Sequence, residues 1–138
     1  MTNNTLRPLV DTLKALAHPV RLRILGLLRE GELCVCQVAT VLELAPSTVS
    51  EHLTELRRTG LVREWKVGRW VHVALSDEPS VRPMLEVLWP LLASAATVLA
   101  KDRKLARALR HGQGVSSAVP ALLISGRATR KRSQPTPP

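Results

Sequence analysis

The stretch that decides the fold runs from Cys34 to Leu75 and reads CVCQVATVLELAPSTVSEHLTELRRTGLVREWKVGRWVHVAL. In residues 34–42, apolar side chains recur at i, i+3, i+4 and i+7, which is the spacing of one face of a helix. After a short turn at residues 43–45, the same spacing returns in residues 47–58, with a proline and hydroxyl groups at the start. The pattern predicts two short helices around a tight turn, the second with an apolar stripe and a polar face.

The pattern changes after Gly60. Val62 to Lys66 and Arg69 to Leu75 are rich in Val and Trp, and Gly68 interrupts them midway. This composition predicts a β-hairpin with its turn at Gly68. Two helices around a tight turn, followed directly by a hairpin, are typical of a winged helix-turn-helix, whose second helix enters the DNA major groove.

Helices are also predicted on both sides of this unit. Helical spacing of apolar residues predicts a first helix from Leu6 to Leu16, and His18-Pro19 ends it. A second helix is expected from Pro19 to Arg29. A long helix is expected from Val81 to Arg110, bent at Pro90 because proline removes a backbone hydrogen bond. The fold class is therefore mainly α with a β-hairpin.

The composition favours a protein that binds a polyanion. Twenty Lys and Arg against eleven Asp and Glu give a net charge of +9, which favours a polyanionic partner such as nucleic acid. The start of the chain has no apolar centre of a signal peptide, and no uninterrupted apolar run reaches the roughly eighteen residues of a membrane span. We expect a cytoplasmic protein without a membrane partner. Its parts are a flexible N-terminus (1–5), one domain (6–112) and a disordered, basic, Pro/Ser-rich tail (113–138).

Polar and basic side chains cluster on the predicted DNA-reading unit. Short polar side chains at the start of the second reading helix suit base edges, and basic side chains at its end and at the hairpin tip suit phosphates. The predicted partner is double-stranded operator DNA. The candidate DNA-binding residues are Pro46, Ser47, Thr48, Ser50, Glu51, His52, Arg57, Arg58, Lys66 and Arg69.

Four segments carry a family resemblance. LAHPVRLRIL (16–25), STVSEHLTELR (47–57), GLV (60–62) and GRWV (68–71) resemble the ArsR/SmtB family of metalloregulatory repressors. The resemblance covers roughly residues 6–110. It implies the order α1-α2-α3-α4-β1-β2-α5 and a homodimer, built on the first and last helices, that binds an inverted repeat in its own promoter. Glu51 departs from the family pattern, in which a basic or amide residue is frequent.

The two cysteines lie in the segment Glu32 to Cys36, ELCVC, which resembles the same segment of arsenic- and cadmium-responsive members. Cys34 and Cys36 are the candidate metal ligands, because neighbouring thiolates chelate soft ions. A helix N-terminus is expected to lower a Cys pKa. Residues i and i+2 of a regular helix point about 200° apart, so binding of one atom by both sulfurs is expected to unwind the first turn.

The lack of a third cysteine ligand restricts the choice of inducing ion. Ala39 stands where arsenite sensors of this type often have a third Cys, and residues 1–33 contain none. The expected function is a repressor that leaves DNA when it binds an inducer. As inducers, we rank As(III) or Sb(III) first, methylarsenite close behind, and cadmium or lead third. A metal-free thiol redox sensor that binds DNA is the other alternative, and no arrangement typical of an enzyme is found. The zinc-type ligand pattern of the last helix is absent from the sequence, because Asp102 is not followed by a His two residues later. The four His residues are interpreted as structural rather than as ligands: His18, His52, His72 and His111.

Overall fold

The computed structural model describes residues 2–111, with side chains from residue 5 onward, and the predicted tail lies outside the described residues. The order of elements agrees with a winged helix-turn-helix, with one additional short strand. The elements are α1 (Thr2–Leu16), α2 (Pro19–Leu28), β1 (Leu33–Cys34), α3 (Val35–Leu42), α4 (Pro46–Arg58), β2 (Val62–Val67), β3 (Trp70–Leu75), α5 (Arg82–Leu92), a 3₁₀ turn (Ala93–Ala95) and α6 (Ala96–His111).

The sheet has three antiparallel strands in the order β1-β3-β2. Strands β2 and β3 form the hairpin, from the pair Val62↔Leu75 to the pair Val67↔Trp70. Gly68, with φ 61°, takes the first position of the two-residue turn, where a positive φ is needed and glycine adopts it without strain. Strand β1 is not predicted from the sequence, because two residues are too short for a recognisable periodicity.

The core lies between α2, the inner face of α4 and the sheet. The predicted inner face of α4 is confirmed, since Val49, Leu53 and Leu56 are all 0% exposed. Each such aliphatic side chain contributes about 1.5–3 kcal/mol by leaving water. This packing fixes α4 rigidly on the body, and its polar face is left toward solvent.

At the two ends of the domain, one prediction is wrong and the other is refined. Helix α1 begins at Thr2, so residues 2–5 are helical rather than a loose end. The predicted long C-terminal helix is divided into α5 and α6 by the 3₁₀ turn. Pro90 has no N–H for the helical bond to residue 86, and the N–H of Ala93 bonds to the Pro90 carbonyl in the tighter i→i+3 pattern.

Several apolar side chains on the outer helices are not covered within the chain. Those of α1 are 40–50% exposed: Leu6, Leu9, Val10 and Leu13. Val87 and Leu91 of α5 and Val98 of α6 are 48–66% exposed. The helical stretch Arg82–His111 contains an 18-residue window of mean hydropathy 1.5, of which 17% is buried. By length and composition this stretch could cross a membrane, which for one helix is weak evidence. These exposed apolar side chains of α1, α5 and α6 are available to another surface.

Candidate DNA-binding surface and thiol pair

Helix α4 is presented by the short turn that separates it from α3. The turn begins at Glu43, which caps α3 in the left-handed conformation with φ 56°. Ala45 is the N-cap of α4, with no side-chain hydrogen bond, and Pro46 occupies the first helical turn. The hydroxyl of Ser47 therefore does not cap the helix, although a hydroxyl-bearing start was expected.

Most of the candidate DNA-binding residues lie on the solvent side of α4 and the hairpin. Thr48 and His52 are half-buried. The other eight are exposed: Pro46, Ser47, Ser50, Glu51, Arg57, Arg58, Lys66 and Arg69. Their contact with DNA stays a prediction, in which the helix and the hairpin tip engage neighbouring parts of a duplex.

The two arginines at the end of α4 are both paired with acids. Arg57 forms an ion pair with Glu64 of β2, and Arg58 contacts Glu55 at 3.1 Å. From the sequence, both arginines are predicted to contact the DNA backbone, and these acidic partners are not predicted. The Arg57–Glu64 ion pair links the end of α4 to strand β2 of the hairpin.

His52 is tied to the body of the protein. Its Nδ1 accepts a hydrogen bond from Nε of Arg21 at 3.3 Å, and its ring lies 4.5 Å from the ring of His18, between centroids. The pKa of His52 is lowered, first by burial and then by the charges of His18 and Arg21, against an opposing effect of Glu51. A neutral His52 therefore positions α4 through its inner edge, a role that its helical spacing alone does not reveal.

The thiol pair lies at the start of α3, but only one cysteine is helical. Cys34 ends β1 and is the N-cap of α3, with extended backbone angles (φ −72°, ψ 145°). The 200° separation expected for residues i and i+2 of a regular helix therefore does not apply to this pair. Cys34 is buried and Cys36 is half-buried. Because Cys34 lies outside the helix, the helical geometry from which unwinding of α3 was expected is not present.

The expected low cysteine pKa is wrong for Cys36. Burial, then the charge of Cys34 and a hydrogen bond with Cys34, raise the pKa of Cys36 to about 11. At neutral pH Cys36 is a thiol, because desolvation disfavours the thiolate more than the start of α3 favours it. A ligand that needs two thiolates must displace this proton.

The segment before Cys34 is braced by α6. Gln37, which is 8% exposed, accepts the N–H of Cys34 on Oε1 at 2.8 Å and donates from Nε2 to the carbonyl of Leu109 at 3.4 Å. Arg110 donates to the carbonyls of Leu27 and Gly31 at 2.9 and 2.8 Å. The sequence gives one signal for these bonds, a glutamine on the apolar side of α3.

Other ligand sets are not found in the described part of the chain. Among residues 2–111 there is no group of three or more His, Cys, Asp and Glu side chains that could hold a metal ion. Asp102, 4% exposed, binds Arg23 through two hydrogen bonds of 2.9 and 2.8 Å. This carboxylate joins α6 to α2, and both of its oxygens are used.

Helix α4 with its polar face outward, followed by the basic hairpin tip, defines a winged helix-turn-helix DNA-binding protein. The bacterial regulatory protein model of the arsR family matches residues 18–64. The arsenical resistance operon repressor of Escherichia coli K12 is 46% identical over 68 residues, 49% of this chain and 58% of that protein. The transcriptional activator HlyU of Vibrio cholerae is 40% identical over 95 residues, 69% of this chain and 86% of that protein.

A homodimeric winged helix-turn-helix DNA-binding domain from Mycobacterium bovis is similar in structure. Its TM-score is 0.60 at 26% identity, and the match covers 69% of this chain and 87% of that one. The chain therefore belongs to the ArsR family of bacterial regulatory proteins. It contains the winged helix-turn-helix DNA-binding domain of this family of transcriptional regulators. The matched part of this chain spans little more than half the length of the E. coli repressor.

Proposed function

We propose that this protein is a transcriptional repressor that leaves its operator when trivalent arsenic or antimony binds Cys34 and Cys36. The observation that carries the proposal is the position of the two thiols, one buried and one half-buried, at the junction of β1 with α3, the helix that precedes α4. Soft sulfur ligands select soft ions. The similarity to the E. coli arsenical resistance repressor supports the same ligand class.

The number of sulfur atoms favours arsenic or antimony over cadmium or lead. Trivalent arsenic forms three bonds, so two thiols and one external hydroxide, water or glutathione complete it, and methylarsenite needs only the two thiols. Cadmium and lead usually gather three or four thiolates. The chain has two cysteines, and residues 2–111 supply no cluster of three ligands.

A homodimer is the second part of the proposal. The exposed apolar side chains of α1, with Val87 and Leu91 of α5 and Val98 of α6, offer a self-complementary surface. We expect Leu9→Asp combined with Leu13→Asp to convert a dimer to a monomer in analytical ultracentrifugation and to abolish tight DNA binding. The control is Asp11→Ala on the same exposed helix. A dimer that persists in the double variant places the interface elsewhere.

The ligand is tested by anisotropy of a labelled DNA fragment from upstream of the coding sequence. Arsenite, methylarsenite, antimonite, cadmium, lead, zinc and peroxide are compared under reducing conditions, except for peroxide. We expect arsenite and antimonite to weaken DNA binding at least tenfold, about 1.4 kcal/mol. Cys34→Ser and Cys36→Ser should bind the DNA normally and ignore both. If neither arsenite, methylarsenite nor antimonite releases the DNA, the proposal fails. Release by cadmium or lead alone indicates a repressor that responds to those metals, and release by peroxide alone indicates a redox sensor.

A further inference from the structure

Strand β1 joins the thiol pair directly to the hairpin that carries Lys66 and Arg69. We propose that this hairpin, here called the wing (Val62–Leu75), is the element through which ligand binding at Cys34 and Cys36 releases DNA, with His72 as the positioning residue between them. The inference rests on the proposed function, because it takes the thiol pair as the ligand site.

The connection is a row of three side chains across the sheet. Cys34 pairs with His72 of β3, and His72 pairs with Trp65 of β2. Directly opposed residues of antiparallel strands point to the same face, with Cβ atoms about 4.5–5.5 Å apart. The rings of His72 and Trp65 are stacked with centroids 5.8 Å apart, and His72 is 2% exposed. A change beside Cys34 therefore meets a buried side chain of the wing first.

The wing can transmit such a change to its tip. Strands β2 and β3 are paired without interruption from Val62↔Leu75 to Val67↔Trp70, so they move together. Arg69 lies three residues from His72, about 10 Å along the strand at about 3.3 Å per residue. By contrast, β1 pairs with β3 only at Leu33 and Cys34. The sheet can therefore separate most easily between β1 and β3, where only two residues of β1 are paired.

The site has little free volume on the Cys34 side. Cys34 is 9% exposed, so an atom bonded to both sulfurs, with its remaining ligands, needs space on the face that His72 and Trp65 share. Close-packed interiors accept added volume only by displacing neighbours. The inner face of α4 is fully buried, whereas the wing tip is exposed. Displacement of the wing is therefore easier than displacement of α4.

A thermodynamic cycle tests the route. The dissociation constant for DNA is measured with and without arsenite for the wild type, for Lys66→Ala/Arg69→Ala, and for the matched control Ser47→Ala/Ser50→Ala in α4. The arsenite factor is the ratio of the DNA dissociation constants measured with and without arsenite. If the wing transmits ligand binding to the DNA, the wing variant binds DNA more weakly, and its arsenite factor falls from at least tenfold to less than twofold. The α4 variant also binds more weakly but keeps its full factor.

The opposite results separate the two proposals. A full arsenite factor in the wing variant overturns the wing inference and leaves the proposed function intact. Failure of arsenite to release the wild type overturns both.

Two further measurements do not depend on removing DNA contacts. Arsenite should speed amide hydrogen exchange of Val71 and Val73 at least tenfold in the free protein, with α4 unchanged and with no effect in Cys34→Ser. His72→Phe should still bind one arsenite per thiol pair but show a reduced arsenite factor for DNA. Faster exchange in α4 with β3 unchanged, or a normal factor in His72→Phe, contradicts the inference.

Discussion

Nδ1 of His52, on the DNA-facing helix, accepts a hydrogen bond from Nε of Arg21 on α2. The same arginine donates to the carbonyls of Lys14 and Ala15 near the end of α1. One guanidinium thus ties α1 and α2 to α4, and the contact requires a neutral His52. The orientation of the DNA-reading helix depends on the protonation state of this imidazole.

The first prediction concerns acid pH. The folded-state pKa of His52 is below its usual 6.5, so its contribution to stability is present above pH 6.5 and is lost as the pH falls through the folded-state value. His52→Asn keeps an acceptor for Arg21 but does not titrate. Urea unfolding between pH 7.5 and 5 should show that the wild type loses more stability than the variant. Parallel pH profiles for the two proteins contradict this role of His52.

The second prediction concerns the reactivity of the cysteines. Cys36 is half-buried and Cys34 buried, so iodoacetamide should modify Cys36 first. The reaction should be slow at pH 7 relative to a free thiol, because the pKa of Cys36 is raised to about 11 and the thiolate is the nucleophile. Mass spectrometry of timed samples gives both rates. A Cys34 that reacts faster than Cys36 disagrees with this arrangement.

The third prediction separates the metal ions from the metalloids by pH. Binding of a divalent cation displaces the Cys36 proton, so affinity should rise about tenfold per pH unit from this proton while the pH stays below about 11. Neutral arsenous acid condenses with two thiols and loses two waters, with no net release of protons. Calorimetric titrations between pH 6.5 and 8.5 should show an affinity that rises steeply with pH for cadmium and only slightly for arsenite. Equal slopes would mean that the Cys36 proton does not govern binding.

The fourth prediction concerns the Arg23–Asp102 pair. The side chain of Asp102 is 5% exposed and that of Arg23 is 32% exposed. Arg23→Ala leaves a buried carboxylate unpaired and should cost about 2–4 kcal/mol of unfolding free energy, whereas Asp102→Ala leaves a partly solvated cation and should cost about 1–2 kcal/mol. Urea unfolding at one protein concentration measures both, because a dimer's stability depends on concentration.

The matched control for this pair is the exposed contact of Arg107 with Glu30. Arg107→Ala should change stability by only about 0–1 kcal/mol, since exposed ion pairs are screened by water. If Asp102→Ala loses more unfolding free energy than Arg23→Ala, then leaving the buried carboxylate unpaired is not the larger cost.

The sequence alone predicts the helices, the turn before α4 and the hairpin, because these depend on local periodicity and on turn residues. Val49, Leu53 and Leu56 repeat at helical spacing, and Gly68 interrupts two runs of strand-forming residues. The Cys34 and Cys36 pair is equally local. Both differences from the prediction have a common origin, since whether residues 2–5 continue α1 and how the chain adjusts after Pro90 are decided at element ends, where local signals are weakest.

Only the tertiary structure decided what the thiol pair touches. Strand β1 exists because Leu33 and Cys34 meet β3, whose paired residues lie about forty positions further along the chain. Burial raises the pKa of Cys36, against the expectation from the helix start, because desolvation depends on the surrounding packing. The partners of His52, Asp102 and Gln37 are likewise distant in sequence. The sequence names the residues that can react, and long-range packing sets their protonation and the elements that they can move.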